Sequence, residues 1–91
     1  MSYYRLEKKG LYQKRMTKEY YFEYNDIIYI DEEWSRKNNI LVFVTNRGHA
    51  IYLILDKKQV LLDEMLKRCP NLTTKEENSI PFYIILQVHI I

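Results

Sequence analysis

A chain of 91 residues that is 47% hydrophobic, with two glycines, two prolines and a net charge of +2, has the composition of one folded domain and not of a disordered tail. At this size folding buries only about 60–65% of the surface that the unfolded chain exposes, so the core is thin. The charge is too small to name a polyanionic partner by itself, the single Cys69 excludes an internal disulfide or a C-x-x-C motif, and two glycines exclude a glycine-rich phosphate loop.

The segments SYYRLE and LYQKRM flank Lys8-Lys9-Gly10 and predict a first hairpin, in which Gly10 takes the positive φ of a tight turn. In EYYFEYNDIIYI, residues 19–30, Tyr20, Phe22 and Tyr24 fall on one face and Glu19, Tyr21 and Glu23 on the other. This is the period-two pattern of a strand with one wet side. Asn25-Asp26 supplies a turn, and IIYIDEE enters the core and leaves it near Glu32. WSRKNN, residues 34–39, reads as a loop.

ILVFVT and HAIYLIL, joined through Asn46-Arg47-Gly48, form the clearest hairpin. Ile40, Val42 and Val44 share one side and Leu41 and Phe43 the other; Ala50, Tyr52 and Ile54 oppose Ile51, Leu53 and Leu55. Strands apolar on both sides call for cover on both. The period changes at Asp56. DKKQVLLDEMLKRCPN predicts a helix over 57–69, with Asp56 as N-cap, Gln59 three residues on, and Lys67, Arg68 and Pro70 at its end. Leu62, Met65, Leu66 and Cys69 form its apolar stripe, broadened by Val60 and Leu61, and Cys69 reads as a small buried hydrophobe. Residues 72–79 are a polar linker. IPFYIILQVHII, residues 80–91, is too short to span a bilayer and reads as a last strand covering the second face, within the domain or exchanged with another copy; the start of a truncated membrane helix is the alternative.

Together these elements predict an α+β, mostly β, single domain over 1–91: a bent antiparallel sheet or partly open barrel, one amphipathic helix at 57–69 and a C-terminal strand. The order YYFEYNDIIYIDEEW, ILVFVTNRGHAIYLIL and DKKQVLLDEMLKRC resembles the short pleckstrin-homology-like (PH-like) domains of bacteria over residues 5–70, with 72–91 beyond the usual family boundary. The resemblance implies a strand ending in an aromatic-polar-Asp-Ile step, a Gly-centred hairpin, and a helix plugging one end of the sheet. Eukaryotic relatives that bind phosphoinositides carry a spaced basic motif in the first hairpin, which Lys8, Lys9, Lys14 and Arg15 resemble loosely.

The charges are unevenly placed. Arg5, Lys8, Lys9, Lys14, Arg15 and Lys18 are opposed only by Glu7, and Glu19, Glu23, Asp26, Asp31, Glu32 and Glu33 then follow without a cation. The two blocks either pair across neighbouring strands or leave the basic one for an acidic lipid or protein surface. Lys8, Lys9, Lys14, Arg15 and Lys18 are therefore the candidate partner-binding residues. Catalytic equipment is scant: Cys69, His49 and His89 show no dyad or ligand spacing, so no catalytic residue, metal or cofactor is expected. Tyr12 beside Lys14, Arg15 and Lys18 offers a single-stranded nucleic-acid surface, opposed by the acidic block that follows. MSYYRLEKKG lacks the apolar segment of a secretory signal, and a lone cysteine suits a reducing compartment. The expectation is a non-enzymatic interaction module, in the cytoplasm or at the cytoplasmic face of the membrane. It binds a protein or a second copy of itself; the alternatives are an acidic membrane surface and, third, single-stranded nucleic acid.

Overall fold

The computed structural model describes residues 2–74 and the backbone of 88–90. The fold is mostly β with two helices, an α+β arrangement of two sheets. Strands β1 (Ser2–Leu6), β2 (Gly10–Arg15) and β3 (Lys18–Glu23) form an antiparallel first sheet. After a 3-10 turn, Tyr24–Asp26, the chain enters a second sheet made by β4 (Ile27–Ile30), β5 (Ile40–Thr45) and β6 (Ala50–Ile54). Helix α1 (Glu32–Asn38) lies between β4 and β5, and α2 (Val60–Arg68) follows β6. A short β7 (Val88–Ile90) pairs parallel with β6; the rest of the expected C-terminal strand lies outside the described residues.

Asn25-Asp26 therefore joins two strands, as expected, but they do not pair with each other. The corner is held from both sides. Tyr24 N donates to Lys9 O at 3.0 Å and its hydroxyl donates to Glu7 O at 2.6 Å, while Asn46 N donates to Asp26 O at 2.7 Å. One buried tyrosine thus ties the β1–β2 turn to the point where the chain changes sheet. The first hairpin forms as predicted, with Leu6 opposite Leu11, yet Gly10 has a different role from the one expected. Its φ is not positive. It is the first residue of β2, where a Cβ would lie 2.6 Å from Phe22 O and 2.7 Å from the Tyr21 ring. Close approach of two strands, not turn geometry, requires glycine there.

The core lies where the inner faces of both sheets meet α2. Leu11, Ile27, Leu41, Phe43, Leu61, Leu62 and Met65 are fully buried, with Ile51, Leu53, Leu55 and Cys69 beside them, and Phe22 meets Phe43 edge to face at 5.2 Å. Leu61, Leu62, Met65 and Cys69 supply the predicted stripe, whereas Val60 is exposed. The helix also begins later than the expected 57. Asp56 accepts from Lys58 N and Val60 N, both at 3.1 Å, so it caps a turn that precedes the first helical residue. Gln59 then adopts φ 55, and its amide nitrogen donates to Arg36 O and Asn39 Oδ1, each at 3.0 Å.

Those partners belong to the largest departure from the sequence reading: residues 34–39, expected as a loop, are most of α1 and its cap. Asp31 accepts from Trp34 N at 3.1 Å, Glu32 and Glu33 occupy the first turn, Arg36 and Lys37 the last, and Asn39 closes the helix at φ 55. Each is a standard end signal. Ser35 explains the helix's position. Asp31 N continues the β4–β5 ladder onto Val42 O at 3.3 Å, and where β4 has ended the fully buried Ser35 hydroxyl accepts from Val42 N at 3.0 Å.

Two outcomes follow. Ser35→Ala removes the acceptor of the part-buried Val42 amide, which costs about 1 kcal/mol; the melting temperature should fall by roughly 4–8 °C per kcal/mol in a domain of this size, while Ser35→Thr, which keeps the hydroxyl, should lose less. Gly10→Ala should cost about 1–3 kcal/mol through overpacking against a backbone oxygen; an unchanged denaturant midpoint would show that β2 and β3 separate freely there.

Candidate docking surfaces

The second sheet has an outer face as well as an inner one. A bulge in β4 builds it. Ile27 pairs with Thr45, but Tyr29 pairs with Val44, so the register slips at Ile28. Ile28 and Tyr29 both join the outer cluster with Val44, Ala50 and Tyr52, whereas Ile27 and Ile30 belong to the inner core. Strict alternation would have sent Tyr29 inward with Ile27. The outer residues line a groove of about 220 Å³ formed by Tyr29, Asp31, Trp34, Val42, Val44, Ala50 and Tyr52. Trp34 forms one wall. Its ring meets Tyr52 edge to face at 5.9 Å and it remains 39% exposed. Asp31 lines that end of the groove, where its carboxylate accepts from Trp34 N at 3.1 Å; Glu32 pairs instead with Arg36, which also binds Asp63 of α2.

The five basic residues singled out from the sequence do not form one patch. Lys8 and Lys9 lie in the β1–β2 turn, and Lys14, Arg15 and Lys18 flank the β2–β3 turn at the opposite end of β2. Five residue steps of extended chain separate them by about 17 Å, beyond a screening length of about 8–10 Å. Lys8 and Lys9 share a recess of about 320 Å³ with Glu23, Tyr24, Asn25 and Arg68. Arg68 is engaged there. It pairs with Glu64 at 3.2 Å, holding that carboxyl below its ordinary pKa together with Lys67, and its guanidinium lies 5.9 Å from the Tyr24 ring.

Cross-strand pairing of the two charge blocks is partial. Lys14 lies opposite Glu19, but Arg15 lies opposite Lys18. The stacking surface expected around Tyr12 is already occupied: Arg5 sits 4.4 Å from the centre of its ring, and its hydroxyl donates to Glu19, which pushes the phenol's pKa up.

Cys69 is 6% exposed among Leu61, Leu62 and Met65, and burial pushes its thiol up to about 11. A nucleophilic cysteine needs the reverse, a stabilised thiolate. His49 lies just after the β5–β6 turn, and His89 is in β7. Among the described residues no group of three or more His, Cys, Asp or Glu is placed to hold a metal ion, and no helix is long and apolar enough to cross a membrane.

The sequence reading missed Trp34, Tyr29 and Met16. Trp34 opens a polar stretch that reads as a loop, although Asp31-Glu32-Glu33 before it is a helix start, so its signal is present in the sequence. Tyr29 depends on a bulge that no local residue announces. Met16, at the apex of the β2–β3 turn, has φ 55 and is 72% exposed. Compared with protein-family models, with curated proteins and with solved structures, the chain matches none.

Proposed function

We propose that the chain is a non-enzymatic interaction module that binds an apolar, cation-flanked segment of a protein in the outer groove of the second sheet. The observation that carries this is the conjunction of an exposed indole, a half-buried tyrosine and an aliphatic floor with the Asp31 carboxylate at one end. Trp and Tyr supply large, stiff contact area at low entropic cost and dominate interface energetics. The Asp31 carboxylate selects for a cation and against anionic segments. Nothing in this arrangement activates a nucleophile or polarises a bond.

A PH-like architecture is part of the same reading. It is supported by the three antiparallel strands, the Tyr24-Asn25-Asp26-Ile27 corner, the hairpin turning through Gly48 at φ 82, and a following helix packed on the inner face. The acidic-membrane alternative has less support, because the basic block is divided between two ends of β2.

Trp34 is the chain's one tryptophan and reports on the groove directly. Titration with a lysine-flanked Leu-Met peptide should shift its emission to the blue, and a glutamate-flanked peptide of the same core should bind at least about tenfold more weakly. Tyr52→Ala should abolish the shift while leaving the far-ultraviolet circular dichroism unchanged. Equal binding of both peptides, or none at about 1 mM, a bound that still covers weak encounters, contradicts the reading.

A further inference from the structure

We propose that two copies of the chain pair along the free edge of the first sheet, β1 against β1 in antiparallel register, with Tyr4 opposite Tyr4 on a two-fold axis. This contact lies on the other sheet from the outer groove and goes beyond the reading of that groove. The two stand or fall separately.

Alternation along the first hairpin fixes which backbone groups are free. Glu7 N donates to Gly10 O at 2.9 Å, so Glu7 and Gly10 form a hydrogen-bonded pair. With Arg5 opposite Tyr12 and Tyr3 opposite Lys14, such pairs recur at Arg5 and Tyr3. The N–H and C=O groups of Ser2, Tyr4 and Leu6 therefore point away from β2. Among the described residues nothing pairs with them. The other edges are covered or charged: Thr73 donates to Ile28 O of β4 from its N–H at 2.9 Å and its hydroxyl at 2.8 Å, β7 runs along β6, and β3 exposes Lys18, Glu19 and Glu23. These are the usual protections of a sheet edge. β1 has no proline, lysine or bulge, and its one charge is turned back, because Arg5 pairs with Glu7 at 2.8 Å and lies over the Tyr12 ring. A recess of about 390 Å³ between β1 and the Leu53–Ile54 end of β6 leaves the edge open to a strand.

The residues of this edge select both the partner and the register. Across a new seam only Ser2, Tyr4 and Leu6 have groups to offer, so these residues must face one another. Centred on Tyr4, Ser2 lies opposite Leu6 and Tyr4 opposite itself, and every outward group is satisfied. Centring on Tyr3 leaves Leu6 unpaired. Centring on Arg5 leaves Ser2 unpaired and sets Arg5 directly opposite Arg5, and like charges so placed destabilise the pair. The Tyr4 register instead puts Tyr3 opposite Arg5, and each Arg5 keeps its own Glu7. The strand is thus complementary to itself. Such a two-fold contact closes as a dimer and grows no further, joining two three-stranded sheets into one. It also covers Tyr3 and Tyr4, both exposed in the single chain. One pair of five-residue strands falls short of the roughly 800 Å² per partner of a standard interface, so the association is weak and concentration-dependent.

Sedimentation velocity between about 10 µM and about 1 mM, the range in which so small a contact operates, should show the wild type in equilibrium between monomer and dimer, with nothing larger. Tyr4→Pro should weaken the dimer at least about tenfold, because it removes an N–H that points outward and that no β1–β2 bond uses. Its amide spectrum should show the hairpin retained. Cross-linking checks the register. Cα atoms of a hydrogen-bonded antiparallel pair lie about 5.5 Å apart, within disulfide reach, so Tyr4→Cys should form a covalent dimer in oxidised glutathione, whereas Tyr3→Cys, which faces Arg5, should not. Cys69 is buried and does not compete. A monomeric wild type at the highest concentration overturns the proposal. So does a dimer that survives Tyr4→Pro with the hairpin intact, or a Tyr3→Cys variant that cross-links as fast as Tyr4→Cys. If Tyr4→Pro loses the hairpin, the two cysteine variants decide. If the wild type stays monomeric while Trp34 still responds to the lysine-flanked peptide, the dimer fails and the groove reading stands.

Discussion

One helix covers one face of a sheet, and this constraint governs the molecule. The strands β5 and β6 are apolar on both sides, and α2, nine residues long, closes only the side where Phe43, Leu41, Ile51 and Leu53 meet the first sheet. The inner core is thereby complete. The outer side has a floor of Tyr29, Val44 and Ala50, and what reaches over it from the described elements is Trp34 of α1. Apolar surface of this kind is retained at the surface of a small domain where it meets something else. The placement of α1 is therefore the decisive event: Ser35 replaces a missing strand as hydrogen-bond partner of Val42, and that docking brings Trp34 against Tyr52.

Much of the scaffold was legible because it follows from periodicity. The β5–β6 hairpin around Gly48, the alternation of β3 and the Leu61–Cys69 stripe of α2 depend on residues within reach of one another in sequence. The departures depend on residues that are not. Gln59, expected inside the first turn of α2, instead precedes the helix as its N-cap residue, because its amide binds Arg36 and Asn39, twenty or more positions earlier. Gly10 is required by Phe22 and Tyr21 on the next strand. Residues 34–39 looked like a loop because WSRKNN is polar, yet a short helix at a sheet edge buries a serine rather than an apolar stripe.

The candidate site was less legible than the fold for a related reason. Charge read along the chain joined Lys8 and Lys9 to Lys14, Arg15 and Lys18, whereas a hairpin sends neighbours in sequence to opposite ends of a strand. The groove draws on β4, α1, β5 and β6 and on a bulge at Ile28, so no single segment carries its signature. The excess of tyrosine that marks this sequence turns out to serve several ends. Tyr24 is a structural tie, Tyr12 is engaged by Arg5 and Glu19, and Tyr29 and Tyr52 line the groove.

The most direct test of the outer face as a docking surface is two-dimensional amide NMR of the wild type during titration with the lysine-flanked peptide. The account predicts shift changes confined to residues 28–34, 42–44 and 50–52, together with the Trp34 indole. Changes centred instead on Lys8, Lys9 and Arg68, or none anywhere, would contradict it.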